Sequence, residues 1–172
     1  MVKNFYYDFV YSDLGFVALV VSDTGVVISS PPERKLEESL IRINKFGYKL
    51  LKDENKTFMY KKQLESYFSG QDIQIEKISL DLQIGTKFQR KVWAICRKIK
   101  FGELRSYKWI SGKTGNIFSY RAVGNALKNN PVPIFVPCHR VIGENGSLCG
   151  YNSSQGVSVK EKLINLECHT YS

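Results

Sequence analysis

The chain lacks what several function classes require. No apolar run approaches the roughly 18 residues of a membrane-spanning helix. Only two histidines are present, His139 and His169, and the four cysteines, Cys96, Cys138, Cys149 and Cys168, show no C-x-x-C spacing. Neither a structural zinc site nor a disulfide framework is expected from such a set; free thiols in a reducing compartment fit better. The opening stretch MVKNFYYDFVYSD carries an acid early and has no small-residue cleavage site, so it does not read as a secretory leader. An intracellular protein is expected, cytoplasmic in a prokaryote and nuclear in a eukaryote. The 43% content of hydrophobic residues argues against disorder.

Acidic residues are scarce in one half only. Residues 1–84 hold 11 Lys/Arg against 12 Asp/Glu, a net of −1, whereas residues 85–172 hold 14 against 4, a net of +10. All of the net +9 therefore resides in the second half. The asymmetry suggests two units, residues 1–79 and 80–172, the second of which meets a polyanion.

The first unit reads as α/β, a small antiparallel sheet with helices. FYYDFVY, GFVALVV and GVVIS are rich in β-branched and aromatic residues, with DLG and DTG as turns between them. Leu36, Leu40 and Ile43 recur at helical spacing, as do Tyr60, Leu64, Tyr67 and Phe68 ahead of Gly70. The alternation in QDIQIEKISLDLQIG predicts a strand running into a linker near residues 79–85. The second unit reads as mainly α. Thr86 and Gln89 have capping-box spacing ahead of a stripe of Phe88, Val92, Ile95 and Ile99. A short helix is expected over SYKWISG, capped by Ser106 and stopped by Gly112, and a third over SYRAVGNALKNN, capped by Ser119. Val123, Ala126 and Leu127 face a core in this reading, while Arg121, Asn125 and Lys128 share the opposite face. The order is that of a winged helix-turn-helix-like DNA-binding unit. Ala122 and Gly124 are small enough to let a helix approach a DNA backbone or pack on another helix.

Cys138 follows Pro137 and precedes His139 and Arg140 in PVPIFVPCHRVIG. A nucleophilic cysteine acts as its thiolate, and a neighbouring base or cation raises the thiolate fraction. A histidine base needs an acceptor on its other ring nitrogen. Glu103, Glu144, Glu161 and Glu167 are the acids of this half, and their spacing does not choose among them. Cys96 reads as core, and Cys149 and Cys168 as thiols without partners; Cys168 and His169 fall in a terminal tail expected to fray.

The segment PVPIFVPCHRVIG resembles the active-site signature of the O6-alkylguanine-DNA alkyltransferases, whose core is Pro-Cys-His-Arg. GTKFQRKVWAICRKIKFGELRSY, YRAVGNALKNNPVP and VKEKLINLE resemble the same family in order and spacing, so that the resemblance covers residues 80–168. It implies a DNA repair protein with double-stranded DNA containing O6-alkylguanine as partner, and O4-alkylthymine as a second substrate. The recognition helix would lie in the minor groove and the damaged nucleotide would be flipped out of the stack. The alkyl group would pass irreversibly to the protein's own cysteine, once per molecule. No metal or organic cofactor is implied, and a monomer is expected.

Position by position, Cys138 resembles the alkyl acceptor, His139 the base that takes the thiol proton through a water, and Glu167 the carboxylate that orients it. Tyr107 resembles the tyrosine that crowds a phosphate and donates to the leaving guanine, and Asn130 the asparagine bracing the turn before an active-site strand. Arg121 resembles the arginine that fills the gap left by the flipped base, with Tyr107, Lys108, Asn116, Ala122, Gly124 and Lys128 as further DNA contacts. Pro133, Val141, Tyr151, Asn152 and Ser153 resemble pocket walls. The chain departs from the family where Asn152, Ser153 and Ser154 replace a small serine-glycine-glycine stretch, which bears on the alkyl groups accepted. The rivals are a lesion-binding module without catalysis, which the presence of Cys138 disfavours, a Cys-His-Glu acyl transferase or peptidase, and a transcriptional regulator.

Overall fold

The computed structural model describes residues 4–168; of the expected tail, Cys168 is the last residue of a helix and His169 onward lies outside the described residues. Strands β1 (Phe5–Ser12), β2 (Gly15–Ser22) and β3 (Gly25–Ser29) form an antiparallel meander, and β4 (Leu50–Leu51) adds in parallel to β1, giving the order β3-β2-β1-β4. Pairing of Ser12 with Gly15 and of Ser22 with Gly25 leaves two-residue turns at Asp13-Leu14 and Asp23-Thr24. β2 is apolar along nearly its whole length because both sheet faces are covered. Val17, Leu19 and Val21 join one cluster with Leu64 and Tyr67, and Ala18 and Val20 join another with Ile43. Helix α1 (Leu36–Asn44) covers the second face and α2 (Glu54–Phe68) the first. Asp53 caps α2 by accepting from the backbone N–H groups of Asn55 and Lys56, so this helix starts before the Tyr60 stripe.

The strand expected ahead of the 79–85 linker does not form. Ile75–Lys77 is a 3-10 turn, and only Leu80 bridges Val26. Ile75 and Ile78 are buried, and their carbonyls accept from the Arg97 guanidinium instead of a neighbouring strand. The alternation in sequence therefore marks a pinned irregular segment rather than a ladder.

The second half gathers three helices, α3 (Lys87–Cys96), α4 (Tyr107–Thr114) and α5 (Tyr120–Lys128), packed on one another in the helix-turn-helix arrangement. The Thr86–Gln89 capping box is present. Trp93, buried, donates its indole N–H to the Ala126 carbonyl at 2.8 Å and locks α3 to α5. α4 runs past Gly112 and stops at Gly115, whose φ of +94° closes the helix. Ser119 precedes α5, but its hydroxyl donates to the Asn116 carbonyl instead of capping α5. β5 (Arg105–Ser106) and β6 (Val141–Ile142) form a short parallel pair, and α6 (Val157–Cys168) closes the chain.

The apolar run ahead of Cys138 is not a strand. Residues 131–137 form a tight loop in which the Val136 N–H donates to the Val132 carbonyl at 2.8 Å and Ile134 takes a φ of +75°. Such a backbone is unfavourable for a β-branched residue and is held by its surroundings. Ser29 of β3 supplies part of them, donating from its N–H to the Pro131 carbonyl and from its hydroxyl to the Pro133 carbonyl at 2.7 Å. One core cluster runs from Val10 and Leu64 to Val123 and Leu163, so both halves share an interior. Among the described residues no helix is long and apolar enough to cross a membrane.

Candidate active site

Cys138 opens a 3-10 turn, Cys138–Arg140, that follows the loop. The turn sends successive side chains in different directions. Cys138 lines an open cavity of about 1190 Å³, while His139 and Arg140 point into the protein and are buried.

Asn130, at the end of α5, holds the sulfur from one side. Its amide N–H₂ donates to the Val136 carbonyl at 2.8 Å and approaches Cys138 Sγ at 3.3 Å, and its Oδ1 accepts from the Val132 N–H at 3.0 Å. One side chain thus braces both ends of the loop and presents a donor to the thiol. Burial pushes the Cys138 thiol up; the Asn130 donor and the Lys160 ammonium act against that shift.

His139 is 0% exposed and lies with Nε2 2.7 Å from Glu167 Oε1 on α6. Tyr67 of α2 donates its hydroxyl to the same oxygen at 2.7 Å. Arg140 grips Glu167 with Nε at 2.9 Å and Nη2 at 3.0 Å, and its Nη1 donates to the Ile99 carbonyl at 2.6 Å. The Gly102 N–H donates to Oε2 at 3.1 Å. Burial alone would raise the Glu167 pKa, but the hydrogen bonds and charge of His139 and Arg140 outweigh it and hold the carboxyl well below the usual range. Glu167 is thus ionised and accepts a hydrogen bond from Nε2–H, which leaves Nδ1 as the acceptor nitrogen. Burial pushes the imidazole pKa down, with Glu167 opposing, so the ring is neutral and available as a base. Nδ1 is buried and has no hydrogen-bond partner among the described residues.

Lys160, also on α6, is buried with its ammonium donating to the carbonyls of Val141 at 2.6 Å and Leu148 at 2.5 Å. Tyr107, the first residue of α4, lines the cavity with Cys138. Burial pushes its phenol up to about 12, so it keeps its proton at neutral pH.

The residues singled out from sequence are placed as follows. Cys138, Tyr107, Asn130, Lys108, Gly124, Lys128, Pro133, Tyr151 and Asn152 line the cavity. Gly124 faces the Tyr107 ring: a Cβ there would sit 3.8 Å from it. Val141 does not line the cavity; it is fully buried behind it, paired with Arg105 in the β5–β6 ladder. Ser153 also lies outside the lining and turns its hydroxyl to the Pro32 carbonyl at 3.1 Å. Arg121 and Ala122 are exposed on α5 beyond the cavity. Asn116 shapes the turn between α4 and α5, its Oδ1 accepting from the Phe118 N–H at 3.0 Å. Phe118, 84% exposed, continues the lining with Ile117 and Tyr120 toward the outer face of α5.

Four residues escaped the sequence reading of the site. Tyr67 and Arg140 bind Glu167, Lys160 lies near the sulfur, and Cys149 lines the cavity as a second thiol at a φ of +56°. Arg140 carried a signal, being an arginine inside an apolar run; the others gave none. Among the described residues no cluster of three or more His, Cys, Asp or Glu is arranged to hold a metal ion.

Residues 87–169 match the family described as 6-O-methylguanine DNA methyltransferase, DNA binding domain. The chain is 47% identical over 112 residues to the constitutive methylated-DNA–protein-cysteine methyltransferase of Bacillus subtilis, 64% of this chain and 66% of that one. It is likewise 47% identical over 117 residues to the methylated-DNA–protein-cysteine methyltransferase of Methanosarcina barkeri, covering 66% of this chain and 71% of the relative. Among solved structures, Mycobacterium tuberculosis OGT in complex with DNA superposes with a TM-score of 0.79 at 32% identity, over 95% of this chain and 93% of that one. The O6-methylguanine-DNA methyltransferase of Pyrococcus kodakaraensis, at 21% identity and a TM-score of 0.72 over 95% and 98% of the two chains, shares the fold.

Proposed function

The chain belongs to the 6-O-methylguanine-DNA methyltransferase family of DNA repair proteins, and from that premise we propose that it takes the alkyl group of O6-alkylguanine in duplex DNA onto Cys138, once per molecule. O4-alkylthymine is the second substrate of this reading. The observation that carries it is a cysteine lining an open cavity, backed by a buried histidine–glutamate pair and near the exposed Arg121–Lys128 face of α5, whose Lys128 lines the same cavity.

A base stacked in a duplex cannot reach a sulfur recessed in a cavity, so the damaged nucleotide is turned out of the helix to enter it. α5 lies in the minor groove, with Arg121 filling the vacated place and Lys108 and Lys128 neutralising phosphates. Pro133, Tyr151 and Asn152 bound the flipped base.

The thiol proton passes through a water to His139 Nδ1, the acceptor left free by the bond from Nε2 to Glu167. The imidazolium so formed is stabilised by the Glu167 carboxylate, while the thiolate is stabilised by the Asn130 amide and the Lys160 charge. The sulfur attacks the alkyl carbon, the carbon–O6 bond breaks, and its electron pair stays on guanine, which accepts a hydrogen bond from the Tyr107 hydroxyl and takes up a proton from water as the imidazolium releases one. The thioether at Cys138 has no leaving group that water can displace, so the thiol does not return.

Titration of the protein with excess duplex carrying one O6-methylguanine tests the reading. Repaired lesions should plateau at one per protein molecule. Repair that continues past that plateau would overturn it.

A further inference from the structure

The loop that bounds the cavity after Tyr151 is tied to the first half of the chain through one buried carboxylate that the chemistry above does not use. Glu33 is 0% exposed. Its Oε1 accepts from Arg42 Nε at 2.9 Å. Its Oε2 accepts from the Ser154 N–H at 2.8 Å, from the Ser154 hydroxyl and, at 3.4 Å, from the Ser153 hydroxyl. The Glu33 backbone is itself fixed, exchanging hydrogen bonds of 2.8 and 2.9 Å with Phe16 of β2. It comes so close to the turn between β1 and β2 that a Cβ at Gly15 would collide with the Glu33 carbonyl.

Arg42 carries the connection further. Its Nη1 donates to Asn152 Oδ1 at 3.0 Å, and the Asn152 amide donates to the Lys128 carbonyl at 2.8 Å at the end of α5. Gln155 adds bonds to the carbonyls of Leu14 and Pro32. The loop therefore has two faces. Tyr151 and Asn152 line the cavity, while Ser153, Ser154 and Gln155 are fastened to the sheet side.

We infer that Glu33 is a specificity-determining positioning residue: by holding the 152–155 loop at a fixed depth it limits the size of alkyl group the cavity admits beside Cys138. This rests on the alkyl-transfer reading above. The physical case is that a carboxylate out of water must be satisfied by fixed donors. Here the donors are supplied by the loop itself and by the arginine that also holds Asn152. The loop cannot swing outward without stripping Glu33 of its contacts with the Ser154 N–H and hydroxyl. A wall held this way discriminates by shape, since a group too large for the space finds no compliant side.

The test compares single-turnover transfer from duplexes carrying O6-methylguanine and O6-benzylguanine for the wild-type chain, E33A, E33Q and S154A. Glu33→Ala should raise the benzyl-to-methyl rate ratio about tenfold. Glu33→Gln, which keeps an acceptor but loses the ion pair, and Ser154→Ala, which removes one hydroxyl, should give smaller rises. A clamp with only a structural role would lower the melting temperature and slow both transfers in proportion; an unchanged ratio of that kind overturns the inference. If E33A does not fold, S154A and E33Q decide it by the same ratio. If the wild-type chain transfers neither group, the alkyl-transfer reading fails and the inference falls with it.

Discussion

His139, Arg140 and Glu167 are each at most 1% exposed and are joined through one carboxylate, whereas Arg121, Asn125 and Lys128 stand in solvent along one face of α5. The cavity is lined by Cys138, next in sequence to the buried set, and by Lys128 of the exposed one, and physics treats the two sets differently. In the buried set each member is the partner that makes the next tolerable, so loss of one leaves an uncompensated charge. In the exposed set each cation is solvated and screened, and acts through the number of phosphates it neutralises. The comparison separates residues that do chemistry through position from residues that act through charge.

The largest effect should follow Glu167→Gln. It leaves Arg140 buried without its carboxylate and should cost about 3–5 kcal/mol of stability in urea unfolding. It also frees the imidazole to turn, so transfer should slow by about a hundredfold or more in single-turnover kinetics. If stability and rate both survived, the buried set would be no more coupled than the exposed one.

The pH dependence of stability sharpens the same contrast. His139 and Glu167 both have folded pKa values below their unfolded ones, so the folded chain binds fewer protons at each. Their contribution is complete above the unfolded values and is lost as pH falls, first below about 6.5 for the histidine and then below about 4.3 for the glutamate. Urea melts should show this decline in the wild-type chain, with the lower step missing in E167Q. The transfer rate should rise with pH past neutrality, because burial holds the Cys138 thiol above its ordinary pKa.

The smallest effect belongs to the exposed set. Lys128→Ala should leave stability within about 0.5 kcal/mol and weaken DNA binding across sequences. It should also reduce the slope of log K against log salt by about one. An unchanged slope would remove Lys128 from the phosphate contacts.

The two sets also differ in how readable they were. Cys138 and His139 are neighbours in sequence, and the Arg121–Lys128 face follows from helical spacing, so both could be read from short stretches. Glu167 stood among four acids that spacing could not separate. The resemblance singled it out, and its 2.7 Å contact with His139 comes from the packing of α6 on the Cys138 turn. Tyr67 reads as one more apolar position on α2; its hydroxyl finds Glu167 only when two halves of the chain share a core. The loop before Cys138 reads as a strand because Val, Ile and Phe favour strands, although its three prolines do not. The left-handed Ile134 is imposed by Asn130 and Ser29 from outside the segment. Glu33 gives no signal in the sequence, because it is buried by a loop more than a hundred residues away, its bond from Ser154 spanning 121 positions.

The most direct test of the central claim is intact mass with peptide mapping after incubation with excess duplex carrying one O6-methylguanine. The cavity holds two thiols, Cys138 and Cys149, and the map distinguishes them. The account predicts one methyl group, on Cys138. A methyl on Cys149, or DNA bound with no methyl transferred, would contradict it.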